Sequence, residues 1–249
     1  MNRFSLVLCL ISLIAGVSRA GLAGPAVSAP SPTLAVREPT TVCASHILVR
    51  YWGSLGASDL RTSPVARAIA EKILARVREP GADFEAIGHE SEKAYPDILY
   101  ERTGPFGHGK MEKPFEETVF ALQPGQIADH LIVTIHGFHI IRRNPTIHCR
   151  EILIAYQGAS RALVTRTEVE ARKLAETVRA EALKPGADFA ALARRYSDAP
   201  DAANGGDVGV FDRRMMIQSF EDAAFALKVG ELSPVVETRF GFHIIQRIE

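Results

Sequence analysis

The sequence has no charge of either sign to spare: 29 Lys and Arg balance 29 Asp and Glu in 249 residues. A nucleic-acid-binding chain would carry a basic excess or stripe, so that partner class is excluded, while polypeptide partners stay open. Cysteine is also scarce, with three in all. Cys9 falls in an early apolar run, and Cys43 and Cys149 alone do not make a disulfide framework. They open two similar stretches of chain. Pairing them would tie equivalent strands of separate domains together; two free, half-buried thiols are the preferred reading. A long apolar run is missing as well. The run from Phe4 to Val17 is shorter than the ~20 residues that span a bilayer. With Arg3 before it and the small-x-small Ser18-Arg19-Ala20 after it, 1–20 reads as a secretory signal peptide. The expected location is therefore the periplasm or cell envelope of a bacterium, with membrane association only if that segment is retained. Residues 21–41, rich in Pro, Ala, Ser and Gly, read as a flexible tether.

What the sequence does have, it has twice. MEKPFEETVFALQPG begins at Met111 and is followed by HGFHII from His136; MIQSFEDAAFALKVG begins at Met216 and is followed by FGFHII from Phe240. Met111 and Met216 lie 105 positions apart, as do Phe115 and Phe220, and PGADF at Pro80 returns at Pro185. A period this long exceeds the ~20–50 residues of solenoid and propeller units, so it marks a duplicated domain. The expected domains are 42–144 and 146–249.

Each copy predicts the same order of elements. In the first, 44–49 is a β-rich run, and Pro64 precedes a helix whose apolar face is Val65, Ile69, Ile73 and Val77. Asp83 caps a second helix. A short helix follows over 115–122, then strands over 131–135 and 138–142. In the second, 149–156 is a strand. Thr167 and Glu170 form a capping box for a helix to 183. Further elements are a helix over 188–196, a strand over 207–211, a helix over 220–227, and strands over 235–238 and 242–248. This is an α+β class, with helices covering a small, mostly antiparallel sheet.

Met and Phe four residues apart share one helix face, as ordinary core residues do. The ordered motifs around them say more. HILV at His46, M-x-x-P-F-E at Met111, FAL-x-PG at Phe120 and GFHII at Gly137 resemble the parvulin (PpiC-like) peptidyl-prolyl isomerases. GGDVGVF at Gly205, M-x-x-x-F-E at Met216, FALKVG at Phe225 and FGFHII at Phe240 repeat the resemblance. It covers about 44–249 and implies two tandem parvulin-like (FKBP-like) domains that act on Xaa-Pro bonds of exported, unfolded or partly folded polypeptides. The alternative is a non-catalytic envelope chaperone with degenerate domains of the same kind.

Rotation about a peptide bond meets a barrier of ~18–20 kcal/mol, because resonance gives it double-bond character. Lowering that barrier requires no metal, cofactor or covalent intermediate. It requires a dry grip on the proline ring and polar groups that favour the twisted amide over the planar one. The resemblance assigns the grip to Met111 and Phe115, and to Met216 and Phe220, as substrate-binding residues. It assigns a polar floor to His46, His139 and Thr134 in the first copy, and to His243 and Thr238 in the second. Two departures stand out. Glu151 occupies the place of the second copy's first histidine. The family's loop Cys or Asp is replaced by Ala199, leaving Asp198 beside it as the candidate; the first copy offers no clear acid or thiol there. The first copy, with both histidines and Pro114, is expected to carry most of the activity. GPFGHGK from Gly104 imitates a phosphate loop, but it lacks the following Ser or Thr and is interrupted by Pro114. His136 and His139 lack ligand partners at metal spacing, so no metal or cofactor is expected.

Overall fold

One central strand per repeat is covered on both faces, and the site follows from that. In the computed structural model, which describes residues 39–249, β1 (Cys43–Val49) is buried at all seven positions. The expected signal peptide, and all but the last three residues of the expected tether, lie outside the described residues. Alternate residues of a strand point to opposite faces. Ile47 and Val49 join a core with Ala66, Ala70, Ile73, Leu74 and Val77 of α1 (Ser63–Val77) and Phe84 of α2 (Phe84–Ala94). On the opposite face, Ala44 packs with Phe115 and Val119 of α3 (Lys113–Ala121). The α3 face therefore also carries His46 and Leu48.

β1 is flanked by β2 (Ile98–Arg102) and β4 (Gly137–Asn144), and β4 by β3 (Ile132–Thr134), giving an antiparallel sheet in the order β2-β1-β4-β3. The second repeat reproduces it as β6-β5-β8-β7. Its strands are β5 (Ile147–Ile154), β6 (Asp207–Phe211), β7 (Val236–Thr238) and β8 (Gly241–Arg247). α4 (Glu168–Ala182) and α5 (Phe189–Tyr196) lie on one face, and α6 (Gln218–Ala226) on the other. The Thr167–Glu170 capping box forms as expected. A short 3₁₀ helix, Pro200–Asn204, leads into β6.

Three expectations need correction. The expected face of α1 holds at Ile69, Ile73 and Val77 but not at its start: Val65 is exposed, and Ala66, Ala70 and Leu74 complete the buried face. With 3.6 residues per turn, each four-residue step rotates by about 40°, so a stripe at that spacing leaves the core at one end. The cysteines are fully buried and unpaired, not half-buried. β2, which the sequence left unassigned, forms after Asp97 in a left-handed conformation (φ 59°).

Pro39–Glu249 is one compact unit, and Asp212 helps to close it. Its buried carboxylate accepts from Arg102 Nη2 (2.9 Å) at the end of β2 and from Asn144 Nδ2 (2.5 Å) at the end of β4. Arg102 also donates to the Arg213 carbonyl, and Arg214 pairs with Glu85.

Candidate functional site

The α3 face of the first sheet opens into a cavity of about 740 Å³. Strand pairing sets its floor, because β1 lies between β2 and β4 with His46 opposite Glu101. Leu48 of β1 pairs with His139 of β4, and Ile132 of β3 pairs with His139 on its other side. A continuous polar chain results. Thr134 Oγ1 lies 2.8 Å from His139 Nε2, His139 Nδ1 lies 3.1 Å from His46 Nδ1, and His46 Nε2 lies 3.3 Å from Glu101 Oε2.

One proton assignment satisfies every member with both rings neutral. His46 donates from Nε2 to the Glu101 carboxylate, and His139 donates from Nδ1 to His46 Nδ1. The Thr134 hydroxyl donates to His139 Nε2 while accepting from the His136 backbone N–H at 3.1 Å. Burial, with the His46 ring beside it, pushes His139 down to about 3, consistent with a neutral imidazole. The hydrogen bond from His46 holds Glu101 below the usual carboxylate range. All four ring nitrogens are thus engaged within the floor.

Phe115 stands edge-on over this floor, its centroid 5.1 Å from His46 and 5.6 Å from His139. Met111, partly exposed, lines the same cavity. The five residues expected in the first copy therefore converge. An acid does meet this floor, though not from the loop where the sequence offers none: Glu101 is delivered by β2 in register with His46. Placing β2 would have found it.

The second copy is divided. Thr238 Oγ1 lies 2.8 Å from His243 Nε2, and His243 Nδ1 lies 2.5 Å from Glu151 Oε2, so Glu151 takes the place of a ring. Phe220 stands edge-on to His243 at 5.4 Å. However, the cavity over Glu151 and His243, about 390 Å³, is walled by Leu163, Ala199, Pro200 and Phe240. Met216 instead lines a separate shallow hollow with Thr238 and Arg239. Asp198 reaches the rim, where its carboxylate is held by the Ala155 N–H (2.9 Å) and Arg166 Nη1 (2.5 Å). Asp201, which the sequence reading passed over, is the acid set against Glu151. Burial, then Glu151, raises its carboxyl to about 6, and its Oδ1 is buried without a partner. Gly206 makes this approach feasible: at φ 74° it hydrogen-bonds the Glu151 N–H, and a Cβ there would lie 2.0 Å from the Glu151 carbonyl oxygen.

The phosphate-loop imitation is filled from within, since Glu116 accepts from the N–H groups of Gly109, Lys110 and Met111 at 2.9, 3.1 and 3.3 Å.

Several known proteins are similar to this chain. Peptidyl-prolyl cis-trans isomerase pin1 of Schizosaccharomyces pombe is 45% identical over 111 residues, covering 42% of this chain and 63% of that protein. Chaperone SurA of Cupriavidus metallidurans is 31% identical over 228 residues, 85% of this chain and 44% of its own length. This chain thus spans well under two thirds of the SurA relative's length. The crystal structure of the PPIase domain of TbPar42 is 28% identical, with a TM-score of 0.39, and covers 41% of this chain and 99% of that one. The family model of the PPIC-type PPIase domain matches residues 34–145 and again 142–249. The chain belongs, in both of its repeats, to the PPIC-type PPIase domain family.

Proposed function

We propose that the chain is a peptidyl-prolyl cis-trans isomerase acting on Xaa-Pro bonds of exported, unfolded or partly folded polypeptides, and that its first repeat does most of the work. The observation that carries this is convergence: Met111, Phe115, His46, His139 and Thr134 line one cavity. The proline ring would pack on the Phe115 ring and the Met111 thioether, one flat and one adaptable. Twisting the amide removes its resonance and some of its polarity. A cavity poor in water costs the planar form more than the twisted one, which lowers the barrier between them. The Thr134–His139–His46–Glu101 chain keeps that floor rigid, with its hydrogen bonds already made, so nothing has to reorganise as the bond turns.

The second repeat supports a different role. With Met216 lining a different hollow from the Glu151–His243 cavity, it would bind or brace a client without turning it over. Exchange measurements on Xaa-Pro peptides test both statements. Met111→Ala with Phe115→Ala should slow exchange at least tenfold, whereas Met216→Ala with Phe220→Ala should change it less than twofold. Equal losses would reverse the assignment. No exchange with the intact chain would favour a chaperone that binds without catalysis.

Export is proposed on the apolar run from Phe4 to Val17. The mature protein should begin near Gly21 or Gly24, and N-terminal sequencing that finds Met1 on the secreted product would rule this out.

A further inference from the structure

The chain enters its first repeat along the loop that walls the first cavity. Val42 N–H donates to the Phe106 carbonyl at 3.0 Å, and Phe106 N–H donates to the Val42 carbonyl at 2.9 Å. Two residues earlier the contact persists, since a Cβ on Gly107 would lie 3.1 Å from the Thr40 carbonyl oxygen. The same stretch gives the cavity Thr103, Lys110, Met111 and Glu112. Four residues of backbone separate Gly107 from Met111, at most about 14 Å when extended.

The sequence that precedes this entry point suits a cavity that grips proline. Residues 21–38 contain Gly24-Pro25, Ala29-Pro30 and Ser31-Pro32, and no charged residue stands between Arg19 and Arg37. Pro30 and Pro32 lie ten and eight residues before Thr40. At about 3.3 Å per extended residue, even Pro32 commands about 26 Å, nearly twice the span from Gly107 to Met111. A reversal of direction takes only about four residues, so both bonds can turn back into the cavity. The second repeat has no equivalent: β4 ends at Asn144 and β5 begins at Ile147, which leaves Pro145 and Thr146 without slack.

We propose that the Xaa-Pro bonds of 21–38, foremost Ala29-Pro30 and Ser31-Pro32, occupy the first cavity of their own chain and isomerise there. This rests on the isomerase reading of that site and gives it a resident client. A segment held by a short linker meets its site at an effective concentration on the order of mM. A free client must displace it, so the client's apparent dissociation constant rises by the factor that the tethered segment occupies the site. Ala29 and Ser31 bury little apolar surface, so the segment covers the site weakly and yields to a client with larger side chains.

The test uses the chain from Gly21 onward, which contains the whole compact unit Pro39–Glu249. Exchange spectroscopy on labelled Pro30 and Pro32 should show cis-trans exchange at least tenfold faster than in a free peptide of sequence 21–38, where it takes ~10–100 s. Met111→Ala with Phe115→Ala should return both bonds to the free rate. Pro30→Ala with Pro32→Ala, changes outside the compact unit, should lower the dissociation constant of an added Xaa-Pro peptide at least threefold by calorimetry. The inference is overturned if added peptides exchange while these two bonds keep the free rate. It is equally overturned if the doubly substituted chain binds the peptide no more tightly. Acceleration that grows with chain concentration would assign the occupancy to a neighbouring copy, and so would also overturn it. Tighter peptide binding by the substituted chain, with no exchange of any bond, would instead sink the isomerase reading and leave the docking in place.

Discussion

His139 and Asp201 titrate away from their ordinary values in directions that oppose each other. His139 is held at about 3 when folded, against an ordinary 6.5. The unfolded chain therefore binds the proton more readily, and the stability this ring contributes is full above pH 6.5 and lost as the pH falls toward 3. The slope is at most about 1.4 kcal/mol per pH unit. Asp201 is raised to about 6 from 3.8, so its contribution is full below pH 3.8 and lost as the pH rises through 6. Between pH 4 and 6 the two nearly conceal one another, and substitution should uncover each. His139→Leu should leave a protein whose stability declines as the pH rises from 4 to 6. Asp201→Asn should uncover a rise over the same interval and increase stability at pH 8. Urea unfolding at several pH values measures both, and parallel profiles for the two variants would refute the assignment.

At the scale of elements, the sequence exposed whatever repeats in pattern and concealed whatever depends on pairing. The helix at Glu168 was legible because Thr167 and Glu170 satisfy each other's backbone within three residues. The floor histidines were legible through their motifs, as were Met111 and Phe115. β2 was not: ILYER follows a Pro-Asp turn, has no Gly-Gly-Asp signal, and is fixed by its register against β1. With β2 unassigned, Glu101 could not be recognised, since only that register sets it opposite His46. Asp201 was hidden for a related reason. Its environment depends on how closely Gly206 lets β6 approach β5, a distance that residue types alone do not encode. The splitting of the second cavity has the same origin, because Met216 keeps its spacing from Phe220 while the loop over Glu151 closes from the other side.

At the scale of the whole molecule, Asp212 joins what the repeat separates. We propose that 42–144 and 146–249 can each fold alone, as domains of this size often do, and that Asp212 makes them unfold together. Removing one partner from a buried charged pair costs on the order of 3 kcal/mol. Asp212→Ala should therefore turn a single calorimetric transition into two. A single transition in the variant would show that the halves are joined by something else. The two buried cysteines supply a finer instrument. Each repeat carries one thiol near the start of its central strand, Cys43 pushed up to about 12 by burial and Asp212, Cys149 to about 11 by burial. Neither can be alkylated until its own strand opens, so the molecule carries two independent clocks, one per half. Site-resolved mass spectrometry of iodoacetamide labelling reads them separately. In the intact chain they should run at one shared rate; in Asp212→Ala, Cys43 should run ahead.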